Sequence, residues 1–387
     1  MRSSPACALA AWQPASLSAT IAVTGIILLD SGQTLRKIGK SDGALPSLRQ
    51  MSAIPQQGHS NPLERKRVTM SKASYAEFDE FEASLYGVNG RYMLRSAQRR
   101  DWRLRVLELN GVALMAGQEG AATIYSGAGM PGCFNLFLPL SGHECTVVDG
   151  RRFDRHAIGW MAPDRMFHID ASRPASWMTI SMSCELVCRW MAAHADNADL
   201  SFLARNLVLT GGPSLGALLA LTRRLLFIDD CQSTQLHHPA GEQTARSELL
   251  RLAFNTLLPL AARSTDTARH QNHRRILSQA MDLLAAARHM PILLEDLCAA
   301  TSASERTIRN VFNRYVGISP HRYLVLHRLH NARHALLHAK AGETVTSICM
   351  RFGVWDIGRF AMQYRRLFGV LPSQTLRASH LGMQAPH

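Results

Sequence analysis

Two stretches of the chain read as copies of one another: LCAATSASERTIRNVFNRYVGISP at residues 297–320 and ICMRFGVWDIGRFAMQYRRLFGVLP at residues 348–372. Ile308, Phe312, Gly317 and Pro320 recur 52 residues later as Phe360, Tyr364, Gly369 and Pro372, whereas Leu297 matches Ile348 at 51, so the second turn is one residue longer. Each copy predicts two helices joined by a turn. The short first helix turns Leu297 or Ile348 inward, and Gly353 gives the second turn a permissive backbone. Ser304 and Asp356 are good N-caps for the second helix. That helix carries Ile308 and Phe312, or Phe360 and Tyr364, four apart on one face. Between the copies, Ser319-Pro320 places an N-cap before a proline at the first helical position. The helix it starts runs to about Ala339, with Val325, Leu329, Ala332 and Leu336 on one stripe.

The faces opposite the apolar stripes differ in chemistry. The first copy presents Glu305, Arg306, Arg309, Asn310 and Asn313. A helix with an apolar back and Arg and Asn in front can enter a major groove and read base edges. The second copy presents Ile357, Gly358, Ala361 and Met362, with Arg359, Arg365 and Arg366 available to phosphates and the apolar groups to thymine methyls. A helix of about twenty residues spans roughly 30 Å, close to the ~34 Å of one duplex turn. It can therefore set two reading helices in successive grooves.

This pattern over residues 276–378, with Gly369-x-x-Pro372 and Phe360 and Tyr364 upstream, resembles the DNA-binding domain of AraC/XylS-type regulators. The run Trp355-Asp356-Ile357-Gly358-Arg359-Phe360 is similar to a subset that includes ethanolamine-operon regulators. The resemblance implies helix-turn-helix units at about 293–316 and 344–368 and base-reading positions at Arg306, Arg309 and Asn310, then at Ile357, Gly358, Ala361 and Met362. It further implies a cytoplasmic, ligand-responsive factor, an activator of a catabolic or stress operon. Its expected partners are double-stranded DNA, a small-molecule effector, RNA polymerase and a second copy of the chain, with no membrane.

Charge distribution agrees. Residues 276–387 hold 13 Lys and Arg against 6 Asp and Glu, whereas residues 70–275 hold 22 against 20. Density of that kind in a folded segment suits a phosphate backbone. The eight cysteines are scattered without a CxxC, which reads as reduced thiols. Ile21–Leu29 is an apolar run too short for a membrane span. Residues 1–70 read as a disordered extension or an over-long start, with Met51 or Met70 as alternative beginnings, and residues 379–387 as a flexible tail.

Residues 71–265 read as a sensor and dimerisation domain. Phe78, Phe81 and Leu85 suggest a short helix. Segments of strand character follow at 102–109, 122–125, 134–140, 145–148, 158–161 and 177–182, and Asp149-Gly150 is a hairpin signal. Helical periodicity then occupies 184–195, 214–228 and 242–262, with stripes through Leu215, Leu218, Leu219, Leu225 and Leu226 and through Leu249, Leu250, Leu252, Leu257 and Leu258. These stripes suit an internal core and a dimer contact equally. The expected fold class is thus α+β multidomain: a cupin-like β-barrel with flanking helices, then an all-α domain of two helix-turn-helix units joined by a long linker helix. The cupin likeness is carried by residues 100–182.

A different function class is a cupin-type enzyme or binding module with an accessory DNA-binding tail. Cupin metal sites resemble one another in paired histidines followed by a glutamate. Here His143-Glu144 has no His two residues away, and no GxSxG, P-loop or HExxH occurs. The reading is therefore not an enzyme, with no cofactor and no metal. Arg103, His143 and Arg152 are the candidate ligand-lining residues. His327, His330, His334 and His338 share one side of the long helix, where a polar face near phosphate or the adjoining domain is favoured over zinc.

Overall fold

The computed structural model describes residues 68–381, apart from 86, 99–100, 196–198, 211–212, 229–235, 237, 264–267 and 288–289. The expectations for residues 1–67 and for the last six residues lie outside the described ones. The first strand, β1 (Thr69–Tyr75), pairs antiparallel with β3 (Trp102–Leu109). Between them lie α1 (Phe78–Ala83) and β2 (Asn89–Leu94). There follow β4 (Val112–Gln118), β5 (Thr123–Ala128), β6 (Cys133–Ser141), β7 (Thr146–Val148), β8 (Arg151–Phe153), β9 (Ala157–Met161), β10 (Phe167–Ala171), β11 (Ser176–Ser183) and, after α2 (Cys184–His194), β12 (Leu207–Thr210).

These strands form a seven-stranded sheet, ordered β1-β3-β4-β11-β6-β9-β12, and a five-stranded sheet, ordered β2-β5-β10-β7-β8. Turn chemistry sets the register. Asp149 and Gly150 both take positive φ, 46° and 75°, which a type I′ turn needs, and Val148 accordingly faces Arg151.

The inner strands of the seven-stranded sheet are buried on both faces, which is why they alternate so little. Leu104, Val106, Met115, Phe137 and Trp177 face the five-stranded sheet, and Phe137 meets Phe153 across the gap at 4.9 Å. Leu107, Leu114, Leu136, Leu138, Met178 and Trp160 face α2, α3 (Pro213–Leu226) and α4 (Pro239–Ala261). Leu215, Leu218, Leu225 and Leu226, with Leu249, Leu250 and Leu257, are buried in that second core, while Leu219, Leu252 and Leu258 are partly buried against it. Both leucine stripes thus pack within the chain.

The helical domain begins with α5 (Ala268–Ala286), then α6 (Leu294–Thr301), α7 (Glu305–Tyr315), α8 (Pro320–Leu337), α9 (Val345–Arg351), α10 (Ile357–Phe368) and α11 (Pro372–His380). Its caps are those the sequence suggests. Ser304 accepts from the Thr307 amide at 3.3 Å, Ser319 from Arg322 at 3.3 Å and Asp356 from Arg359 at 2.8 Å. Gly353 sits at φ 67° after α9, and at the corresponding place after α6 Ser302 takes the left-handed conformation itself, at φ 52°. α8 is buried on more than one side, through Tyr323, Leu324, Leu326, Leu329, Ala332 and Leu336. Among the described residues, no helix is long and apolar enough to cross a membrane.

Candidate nucleic-acid interface

Each helix-turn-helix unit separates an inner from an outer face. In α7, Ile308, Val311, Phe312 and Tyr315 are buried, while Glu305, Arg306, Arg309, Asn310 and Asn313 are exposed. Phe312 meets Tyr323 of α8 edge-on at 5.5 Å, and Tyr323 donates its hydroxyl to the Met281 sulfur of α5. The exposed side chains are therefore carried on a helix fixed from behind. Arg309 is paired with Glu305 one turn earlier on the same face.

In α10, Phe360, Tyr364, Leu367 and Phe368 are buried. Gly358, Arg359, Met362, Arg365 and Arg366 are exposed, whereas Ile357 and Ala361 are half-buried. Ile357 packs against the core, so it gives little of its side chain outward. The sequence reading passed over Trp355 as a contact residue. It stands in the turn before α10 and is 81% exposed, beside a helix whose Met362 is 69% exposed. Single exposed apolar residues are common, but an apolar group on this face adds to what it can offer a partner. Nothing in hydropathy distinguishes Trp355 from a core aromatic; only its position between Gly353 and the Asp356 cap hints that it points away.

The sheets dock behind these faces. His330 of α8 contacts the Leu94 carbonyl at 3.3 Å and the rings of Phe78 and Phe368, and burial lowers its pKa to about 4. Arg91 of β2 donates to Asn331 at 3.0 Å. Arg95 pairs with Asp170 and donates to the Gly317 carbonyl at 3.1 Å. The hairpin tip at Gly150 lies against Tyr315, where a Cβ would stand 3.1 Å from the ring. His330 thus belongs to the contact with the adjoining domain, and His327 is buried beneath it, while His334 and His338 stack on each other at 4.3 Å.

The three ligand candidates are not brought into one site. Arg103 is exposed on β3 and bonded to Asp101 at 3.0 Å. His143 is buried, with Nε2 2.5 Å from the Ser176 carbonyl, and burial lowers its pKa. Arg152 is exposed on β8. The sandwich interior instead centres on Glu119, which sequence reasoning did not single out. It accepts from Trp177 Nε1 at 3.0 Å and Thr123 at 2.8 Å, and also from the Tyr92 hydroxyl. Burial pushes its carboxyl up to about 7 against those bonds, which pull it down.

A pair of helices with apolar backs, basic and polar fronts and a shared long helix defines a tandem helix-turn-helix DNA-binding domain. Residues 297–378 match the helix-turn-helix domain family. A Rhodococcus erythropolis protein described as the probable thc operon regulatory protein is 37% identical over 103 residues, 26% of this chain and 31% of its own length. The XylDLEGF operon transcriptional activator of Pseudomonas putida is 37% identical over 87 residues, 22% of this chain and 27% of its own. A crystal structure of a probable AraC family transcriptional regulator from Rhodopseudomonas palustris is 34% identical and covered over 96% of its length and 27% of this chain, with a TM-score of 0.25. Over residues 297–378 the chain is similar to AraC/XylS-type transcriptional regulators. It spans about a third of the length of these curated relatives.

Proposed function

We propose that the protein is a sequence-specific transcription factor that reads duplex DNA through both units, with unequal precision. The exposed Arg306, Arg309 and Asn310, set opposite a fully buried Ile308 and Phe312, carry this reading. Arg can bond guanine in two places and Asn can bond adenine, whereas Gly358, Ala361 and Met362 cannot. The first half-site therefore tolerates few base changes and the second, about one turn away, tolerates many. α8 acts as the spacer. Its 18 residues, at ~1.5 Å each, span roughly 27 Å.

The two-sheet domain acts as a cupin-like sensor and not as an enzyme. Its interior supports a small effector: besides Glu119, the buried atoms Trp102 Nε1, His143 Nδ1 and Thr179 Oγ1 have no hydrogen-bond partner among the described residues and are available to one. Similarity to operon activators supports activation in concert with RNA polymerase, as a cytoplasmic homodimer. The test is a selection from randomised duplexes with wild type, Arg309→Ala and Met362→Ala. Arg309→Ala relaxes one position of the first half-site, and Met362→Ala alters chiefly the response to thymine. Equal information in both half-sites overturns the division of labour, and no selected sequence overturns the function.

A further inference from the structure

The seven-stranded sheet carries a groove that neither the DNA face nor the sandwich interior uses. Its floor is Ala116, Gly117 and Leu140, and its wall is the end of α3, with Arg223 and, one residue past the helix, Phe227. It encloses about 590 Å³, within the roughly 300–1,000 Å³ of small-molecule sites. Three guanidinium groups line it, those of Arg103, Arg105 and Arg223. The Arg105 guanidinium lies 4.7 Å over the Phe227 ring, and that ring remains 48% exposed. A second lobe of about 270 Å³ continues past this stacked pair, along Met70, Lys72 and Ile228.

The charges in the groove are unevenly satisfied. Asp101 accepts from Arg103 Nε at 3.0 Å and from Gln118 Nε2 at 2.8 Å, so the Arg103 end already holds a carboxylate. Among the described residues Arg223 makes a 3.4 Å contact with the Leu140 carbonyl. Among the described residues no carboxylate pairs with Arg105 or Arg223. On an ordinary basic surface, convex and wet, arginines extend their charged heads into water. Here two guanidinium groups with no carboxylate partner among the described residues border an apolar floor and an aromatic face in a concavity. A guanidinium fork fits a planar oxyanion with two hydrogen bonds, and a ring or alkyl body beside it removes Phe227 and Leu140 from water.

We propose that this groove binds a small oxyanion, a carboxylate or a phosphate, carried on an apolar body, with Arg105 and Arg223 holding the anion and Phe227 the body. α3 packs on β3, β4 and α4, so an occupant would bear directly on the helical layer. The site is separate from the reading faces and stands whether or not the proposed half-site asymmetry holds.

Calorimetric titration of the full chain with phenylacetate and with phenyl phosphate tests it, with benzyl alcohol as neutral body and inorganic phosphate as bare anion. Saturable binding of phenylacetate, phenyl phosphate or both is expected, and which of them binds names the source of the oxyanion. Benzyl alcohol and inorganic phosphate should bind at least about tenfold more weakly. Arg105→Ala and Arg223→Gln should each weaken the aryl anion about tenfold, with melting temperature and DNA affinity in its absence unchanged. If Arg105→Ala lowers the melting temperature, the exposed Arg223→Gln decides alone. Failure of both aryl anions to bind, binding of benzyl alcohol as tight as theirs, or unaltered affinity in Arg223→Gln overturns the proposal.

Discussion

Arg333, in the C-terminal third of α8, and Asp79, in the first turn of α1, form an ion pair that joins the helical domain to the sheets. Arg333 Nε lies 3.0 Å and 2.8 Å from the two Asp79 oxygens, with the arginine side chain 8% exposed and the carboxylate 31%. Burial alone would depress the guanidinium. The bond to Asp79 and its charge, with help from Tyr364, hold it above its ordinary value instead. The Arg333 guanidinium also stacks 4.5 Å over Phe368. One side chain therefore ties α1, α8 and α10 together.

Removing one partner of such a pair leaves the other uncompensated. Asp79→Asn should destabilise the full chain by about 3 kcal/mol, the low end for a buried pair because the carboxylate stays partly wet. Urea melts of Asp79→Asn, Arg333→Met and the double variant check this. Additive losses would show that the two side chains do not couple.

In the free protein Arg309 is paired with Glu305, an ion pair with which the proposed base contact competes. Arg309→Ala should cost about 1–3 kcal/mol of specific binding and flatten the preference at one base pair. Glu305→Ala should keep that preference. Competition binding against single-base variants of a selected duplex distinguishes the two, and an unchanged preference in Arg309→Ala would remove it from the reading set.

Arg359, Arg365 and Arg366 are exposed on α10. If they neutralise phosphates, replacing any one by Gln should weaken binding evenly across sequences. It should also reduce the slope of log K against log salt by about one. A changed sequence preference at constant slope would instead place that arginine on a base.

Four buried or half-buried groups make stability depend on pH in opposing senses. Burial holds His168 and His330 at about 4, so they are protonated more readily in the unfolded chain. Their contribution is complete above pH 6.5 and is lost as pH falls towards 4. Burial raises Glu119 to about 7, and burial with the Asp79 charge raises Glu82 to about 7. Their contribution is complete below pH 4.5 and is lost as pH rises through 7. Glu119→Gln should therefore stabilise the protein at pH 8 by up to about 3 kcal/mol and little at pH 5. Its stability should fall more steeply than that of wild type on acidification. Parallel melting profiles for the two proteins between pH 5 and 8 would refute this account.

The helical domain was legible because its signals are local. Ser304, Ser319 and Asp356 each cap the helix that follows, and the pairs at Ile308 and Phe312 and at Phe360 and Tyr364 mark inner faces. The sheets were legible only in part. β3, β6 and β11 show apolar runs, but β1 reads Thr-Met-Ser-Lys-Ala-Ser-Tyr and is mostly exposed at a sheet edge. Its pairing with β3 is a property of the partner and leaves no mark of its own. β2 and β10 are similarly short and rich in polar residues, so partner strands rather than local preference define them. Glu119, Trp355 and the Arg105–Phe227 pair escaped for a related reason. Their roles depend on which way a side chain points once distant strands and turns are assembled.

The two glycines that end the reading helices hold equivalent places in the repeat, and the fold has made them unequal. Gly317 and Gly369 both have positive φ, 70° and 78°. A Cβ on Gly369 would meet nothing within 4 Å, whereas one on Gly317 would fall 1.8 Å from an Asp170 oxygen of β10. The second glycine answers only to its own backbone, and the first answers also to the five-stranded sheet. A duplicated unit has thus lost its interchangeability. A chimera that put the second copy's sequence in the first position would keep the glycine yet forfeit Tyr315, which backs the Gly150 hairpin tip. The reverse exchange would instead put Val316 in place of Phe368, on which Arg333 stacks. On the proposed division of readout, a shift of β10 would therefore press on the more discriminating unit directly, at Gly317.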